Sequence, residues 1–445
     1  MKKIFLSLFI IGSLFILLLF LLKGQNEITN EDNSVQKLNS LPYAAWHPME
    51  AKNDLKSGVT IYDEESAFKG VNIYNSRNKA EAHLMDMKGN ILHTWSGSKS
   101  DVVSKWLHIE MNDKGDLFGV EKDVSLIKLD WNSKILWINK SSFHHDIDIA
   151  ENGDIYSFTN DPIKILYKSK SVTILDDSIT ILDANGRTKK KISLYHSLGE
   201  RLSGTIETEK KIDEQLDKRP DETIDVFHVN SIEIIKKKID NFANKGDILI
   251  SIREWNLIAV MDPRKEEIVW SWGENFLKAQ HHPTLLDNGN ILIFDNRGNE
   301  GYSRIIEMNP ISKEVEWIYQ PLTRNNFFSD TLGGNQKLPN GNLLITESNT
   351  GRVFELKEEN DLYIPPFWAK DYFLKFKMMI RKGQSSLFVG KKQKIVWEFW
   401  NPEIMKKEKM RAAIYRMMRI DPKVLRKLPF DDNTLDYLKK NMYIH

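Results

Sequence analysis

Two different hairpin patterns alternate in phase along this chain, and that alternation restricts the fold more than any other feature. The first pattern begins with an acid or Asn after two apolar residues, passes through a polar turn and ends in an alternating strand usually closed by Trp. Its copies are Leu84–Trp95, Ile127–Trp137, Ile179–Ile192, Ala259–Trp270, Ile306–Trp317 and Phe354–Trp397, the last with its turn swollen by an insertion. The second runs a short strand through an Asn-Gly or Lys-Gly turn, which supplies the positive φ values a tight hairpin needs. Its copies are His108–Val120, His145–Phe158, His228–Ser251, His281–Phe294 and Gln336–Ser348, with a degenerate sixth around Gly70–Ser76. Two hairpins per repeat make a four-stranded antiparallel unit. Six units in series predict an all-β chain with a six-bladed β-propeller over 58–402, whose sheets keep only short, protected edges. Two β-sandwiches do not account for the in-phase alternation.

Outside the repeats, Met1–Lys3 is a short positive region and Ile4–Leu22 an uncharged run of 19 residues, long enough as a helix to cross roughly 30 Å of hydrocarbon. The run exceeds a usual signal-peptide core and no small-x-small cleavage site follows it. Residues 1–23 therefore read as a transmembrane signal anchor rather than a removed leader. Lys2 and Lys3 hold the N-terminus in the cytoplasm, which puts a polar linker over 24–57 and then the propeller on the periplasmic or extracellular side. Two insertions interrupt the repeats. Arg201–Glu222 is charged and reads as a surface excursion. Leu362–Phe388 is basic and aromatic, and its Trp368–Lys382 stretch reads either as a packed insertion helix or as a segment lying against the membrane. Pro402–Arg419 predicts a helix, with Pro at its start and Ile404, Ala412, Ile414 and Met417 on one stripe, so 403–445 is expected to be a helical extension.

Charge and cysteine content narrow the chemistry. The 63 basic and 62 acidic side chains leave a net charge of +1, which excludes a nucleic-acid surface driven by bulk charge. The chain has no cysteine, which removes thiol catalysis, disulfides, iron–sulfur clusters and thiolate zinc sites. Catalysis, if present, falls to His, carboxylate, Lys, Arg or hydroxyl.

Four of the 11 histidines, His108, His145, His228 and His281, open the inner strand of successive repeats. His145 stands seven residues before Asn152-Gly153 and His281 seven before Asn288-Gly289, a count that sets them in equivalent strand positions. The first strand of each propeller blade lines the central channel, so these imidazoles should converge on the axis. His144 and His282 are expected to point the other way across their strands. A trio of imidazoles could also hold zinc or copper. Arg253 speaks against a metal, since its guanidinium would be repelled by the ion.

The segments FHHDIDIAENGDI, FHVNS, ISIREWNLIAVMD, QHHPTLLDNGNILIFDN, LPNGNLLITESNTGRVFEL and KIVWEFWNP, with GVTIYD and LMDMKGNILHTW before them, resemble the bacterial arylsulfotransferases, the PAPS-independent aryl-sulfate sulfotransferases. The resemblance spans about Gly58 to Pro402. It implies a six-bladed propeller without cofactor or metal that passes a sulfuryl group from an aryl sulfate to a phenol. It further implies that His281 is the nucleophile that becomes sulfated, and that His145, His228, Asn230 and Arg253 surround the sulfuryl oxygens. His108, from its place in the repeat, is expected to be a further substrate-binding position.

The chemistry suits these residues. Sulfuryl transfer resembles phosphoryl transfer, in that the moving group is loosely bonded at the transition state and its oxygens need positive or hydrogen-bonding partners. A neutral imidazole is a competent nucleophile near pH 7, which predicts ping-pong kinetics, with His228 or His145 protonating the departing phenolate and later deprotonating the acceptor. No GxxxxGK[ST] cradle for a nucleotide donor occurs. The vicinal cysteines used by many quinone-dependent dehydrogenases are absent, as is a sulfatase motif with its modified Cys or Ser. The alternative is a non-catalytic, membrane-tethered propeller that binds a ligand or protein partner.

Overall fold

The computed structural model describes residues 45–53, 55–97, 105–202, 212–213, 216, 223–321, 326–363 and 390–441. The Ile4–Leu22 span, the linker over 24–44, most of Arg201–Glu222 and nearly all of Leu362–Phe388 lie outside the described residues. Among the described residues no helix is long and apolar enough to cross a membrane.

The hairpins form as the repeat predicts, each pair joining into one antiparallel sheet. Among the described residues there are six sheets of four or five strands and one of three. In chain order the second sheet holds His108–Met111, Leu117–Glu121, Ser125–Leu129 and Ile135–Asn139. The third starts with Phe143–Ile149, the fourth with Val229–Ile234, the fifth with His281–Leu285 and the sixth with Gly334–Lys337. These first strands are the innermost, and neighbouring sheets touch through them in cyclic order, the sixth returning to the first. The fold is thus all-β and propeller-like.

The first and sixth sheets depart from simple succession. Val71–Ser76, Glu81–Met85 and Ile91–Ser96 build the first, but its innermost strand is Ile414–Ile420, from the far end of the chain. This explains why the hairpin around Gly70–Ser76 reads as degenerate: half of it is remote in sequence. The sixth sheet is closed on its outer edge by Gly58–Tyr62, paired with Gly390–Trp400.

The helix expected over Pro402–Arg419 is not formed. Ile404–Met405 and Met410–Ala412 join Trp46–Pro48 in the three-stranded sheet, so the end of the expected linker is also ordered as a strand. Met, Arg, Ala and Lys favour helix, but tertiary pairing overrides propensity. Here it does so because the strand buries Arg416 and Arg419 against carboxylates of other sheets. Arg419 bonds Glu355 at 2.8 Å with both side chains fully buried. Short helices follow at Pro422–Leu425 and Asp432–Lys440, started by the caps Asp421 and Asp431.

The recurring Trp residues tie sheet to sheet. Trp95 donates to the Gly115 carbonyl of the second sheet, Trp137 to Ala184 of the third, Trp270 to Pro310 of the fifth and Trp397 to Met87 of the first. An indole covers a large apolar area and, where buried as in Trp95 and Trp397, needs a partner for its N–H, and a neighbouring turn supplies one at all four positions. Gly186 is required there, since a Cβ would lie 2.5 Å from the Trp137 ring.

Candidate functional site

The histidines sit where three successive inner strands are interrupted. The ladder slips between His144 and Ile147, between Val229 and Ser231, and between His281 and Thr284. A β-bulge bends its strand and re-aims side chains. At each of these the backbone turns left-handed beside or within the slip, at His145 (φ 59°), His228 (φ 51°) and His282 (φ 47°). The extra residue also corrects the equivalence inferred from counting. His281 lies opposite Phe294 and His144 opposite Phe158, so His281 matches His144 by register, while His145 occupies the bulge.

The bulge turns His145 towards the fourth sheet. Its ring lies 5.0 Å from that of His228, tilted by 66°, and its Nδ1 is 2.6 Å from Nδ1 of His144. His144 does not point away across the sheet. It is buried beside His145, stacked on Phe158, with Nε2 3.3 Å from Asp177. Burial, then the charges of His144, His228 and His281, hold His145 well below the usual imidazole range, so it is neutral at pH 7.

His228 has a carboxylate partner. Its Nδ1 lies 2.5 Å from Asp225 Oδ2, and its backbone N–H donates to Oδ1. Burial would raise the Asp225 carboxyl, but the imidazole charge and these hydrogen bonds bring it down to about 2. Such a pair fixes the tautomer with Nδ1 protonated and leaves Nε2 for chemistry.

His281 is buried, with Nδ1 2.7 Å from Asn296 Oδ1 and 3.0 Å from the Ala279 carbonyl. Two acceptors require the proton on Nδ1, so Nε2 carries the lone pair, and the Leu332 N–H donates to it at 3.2 Å. Burial, reinforced by the Arg253 charge and opposed by the Asn296 hydrogen bond, pushes His281 down to about 3. Arg253 follows the second strand of the fourth sheet, its guanidinium paired with Glu254 and its charge also acting on Asp330. Asn230 lies in the bulge of the fourth sheet, where its Nδ2 donates to the carbonyl of Gln280, the residue before His281, while its buried Oδ1 has no hydrogen-bond partner among the described residues.

His145, His228, His281 and Arg253 are therefore brought together, with Asn230 alongside. His108 is not. It belongs to a second buried group, with Nε2 3.2 Å from Asp146 Oδ1 and its ring 4.6 Å from Tyr415. Asp146 is the hub of that group. It takes both Nη atoms of Arg416 at 3.1 Å, the Ser231 hydroxyl at 2.9 Å and the Ile232 N–H at 3.1 Å. Burial and then the Arg416 charge depress His282 in the same group, and its Nδ1 accepts from the Asn335 N–H.

Asp225, Asn296, Asp146 and Arg416 escaped the reading of the sequence. The first three lie three, fifteen and one residues from histidines already singled out, so a search for an acid or amide to orient each imidazole would have found them. Arg416 had no local signal. Among the described residues no group of three or more His, Asp or Glu side chains is arranged to hold a metal ion.

Comparison with known proteins gives one family and a set of distant folds. The family model described as arylsulfotransferase (ASST) matches residues 125–365. No curated protein matches the chain. Among solved structures, a protein of unknown function from Bacteroides caccae is 12% identical at a TM-score of 0.43, covering 65% of this chain and 90% of that one. A streptogramin B lyase structure is 13% identical at 0.42, over 71% and 83%, and virginiamycin B lyase from Staphylococcus aureus is 13% identical at 0.40, over 73% and 88%.

Proposed function

The chain belongs to the arylsulfotransferase (ASST) family, whose model covers more than half of it, and from that membership we propose that it transfers a sulfuryl group from an aryl sulfate to a phenol through a sulfated His281. The propeller is read as six-bladed, tethered by residues 1–23 with its catalytic part outside the cytoplasm. The observation that carries the mechanism is the state of His281: neutral, its proton held on Nδ1 by Asn296 and the Ala279 carbonyl, and its Nε2 lone pair met by the Leu332 N–H.

Nε2 of His281 attacks sulfur as the bond between sulfur and the aryl oxygen breaks. The Leu332 N–H gives up the lone pair as it does so. Protonated His228 delivers its Nε2 proton to the leaving phenolate, with Asp225 stabilising the imidazolium beforehand. The acceptor phenol then returns a proton to His228 while its oxygen attacks sulfur and the N–S bond breaks, which restores both histidines. Arg253 and the N–H of neutral His145 offset the charge on the sulfuryl oxygens, in a site where burial strengthens each contact.

Mixing the full chain with para-nitrophenyl sulfate and phenol tests this. Expected are release of nitrophenolate and, without acceptor, a mass gain of one SO3 mapped to His281. His281→Ala should abolish both and His93→Ala, which changes a ring stacked on Trp131, should keep both. Turnover that survives His281→Ala overturns the assignment of the nucleophile.

A further inference from the structure

Behind His145 stands a buried chain of groups that the bond-making steps do not touch. The Nδ1 atoms of His145 and His144 lie 2.6 Å apart, with the two rings nearly perpendicular at 86°. On the far side of His144, Nε2 is 3.3 Å from Asp177 Oδ1, and each of these two side chains is only 2% exposed. Both are held in place. The His144 ring stacks on Phe158, and the other Asp177 oxygen accepts the Val229 N–H at 2.8 Å, which ties the carboxylate to the strand that follows His228.

Counting protons along this chain fixes the tautomer of His145. Two ring nitrogens 2.6 Å apart share a single proton, because two lone pairs or two N–H groups would repel at that distance. A lone pair on His144 Nε2 would face a carboxylate oxygen, so that nitrogen carries a proton too. Which ring owns the shared proton is decided by charge. If His145 owns it, His144 is neutral and Asp177 is an interior carboxylate without a cation, since among the described residues His144 is the basic side chain within ion-pair reach of it. If His144 owns it, an imidazolium meets the carboxylate and the buried charge is compensated. The second arrangement is favoured, and neutral His145 then keeps its own proton on Nε2. Moving the proton of the ion pair from His144 Nε2 to Asp177 Oδ1 leaves that outcome unchanged.

We propose that His144 and Asp177 are positioning residues that hold the His145 proton on Nε2, so that His145 offers the sulfuryl oxygens an N–H rather than a lone pair. His228 has the opposite tautomer, with its Nδ1 proton on Asp225. Two rings 5.0 Å apart are thereby divided into a proton carrier and a fixed donor. The use of the donor rests on the sulfuryl-transfer reading, whereas the tautomer does not.

The test reads the tautomer first and its consequence second. In the full chain labelled with 15N-histidine, the His145 signals, assigned by their loss in His145→Gln, should show Nε2 protonated and Nδ1 bare. His144→Phe keeps a ring against Phe158 but removes the donor, and His144→Asn returns an amide N–H near the place of the lost Nδ1. With para-nitrophenyl sulfate and phenol, the Phe variant should lose roughly tenfold in kcat with little change in KM, the His145 proton now being shared between its two nitrogens. The Asn variant should recover most of that loss, with the proton back on Nε2. A His145 proton found on Nδ1 in the unaltered chain overturns the proposal, and so do equal losses in the two variants, which would mark His144 as packing alone. If the Phe variant does not fold, the spectrum of the unaltered chain and of the Asn variant decides. If no sulfuryl transfer occurs with any acceptor, the function above fails, and the same spectrum still upholds or sinks the tautomer.

Discussion

Each imidazole in the cluster is oriented by a different neighbour, and this divides the labour among residues of one type. Asn296 and the Ala279 carbonyl hold the His281 proton on Nδ1, whereas His228 meets an ionised Asp225. An amide leaves an imidazole neutral, but a carboxylate stabilises its cation, so His281 suits attack and His228 suits proton transfer. Asp225→Asn is expected to lower kcat by roughly two orders of magnitude for unactivated phenyl sulfate and far less for para-nitrophenyl sulfate, whose phenolate leaves without a proton. Equal losses with both donors would mean that Asp225 serves the fold and not the proton. His145, His228 and His281 were legible because a histidine stands at the start of each of these inner strands, although the register sets His281 level with His144 and leaves His145 in the bulge. Their exact partners were not, because a bulge shifts side chains by one residue without altering the apolar pattern on which the reading relied.

At the scale of elements, the strand Ile414–Ile420 is the clearest case of context overriding local preference. Its hairpin partners were readable from alternation and turn residues, and four of the inter-sheet Trp bonds explain why Trp closes the outer strands. The strand itself carries good helix formers, and its assignment depends on Asp146 and Glu355, each far away in sequence. Removing one member of a buried ion pair leaves the other uncompensated. Asp146→Ala is therefore expected to cost about 3–5 kcal/mol of stability, seen as a lower urea midpoint. Asp146→Ala/Arg416→Met should recover part of that loss, since no unpaired guanidinium remains. A double variant as unstable as the sum of two independent losses would count against the clasp.

For the molecule as a whole, the buried histidines and carboxyls set how stability responds to pH. Burial first, then neighbouring charges, depresses His145, His281 and His282, with His281 at about 3. Between that value and the ordinary imidazole range near 6.5 the unfolded chain binds more protons than the folded one. The stability is fully present above about 6.5 and falls as the solution is acidified, by about 1.4 kcal/mol per pH unit for each such group. Burial acts the other way on carboxyls such as Glu233, pushed up to about 8. Their folded forms bind the extra proton, so their contribution is intact below the ordinary carboxylate range and is lost as pH rises towards 8. The thermal midpoint should thus peak near pH 6.5. Glu233→Gln should flatten the alkaline decline and His281→Gln the acidic one, and a midpoint that rises steadily to pH 9 would contradict this balance. The remote inner strand has a further consequence, for the order of synthesis. A ribosome delivers Asp146 and Glu355 long before the arginines that neutralise them, so the nascent circle stays unlatched until its last strand arrives, and a premature stop before Ile414 leaves a charged, gaping intermediate for chaperones and proteases to sort.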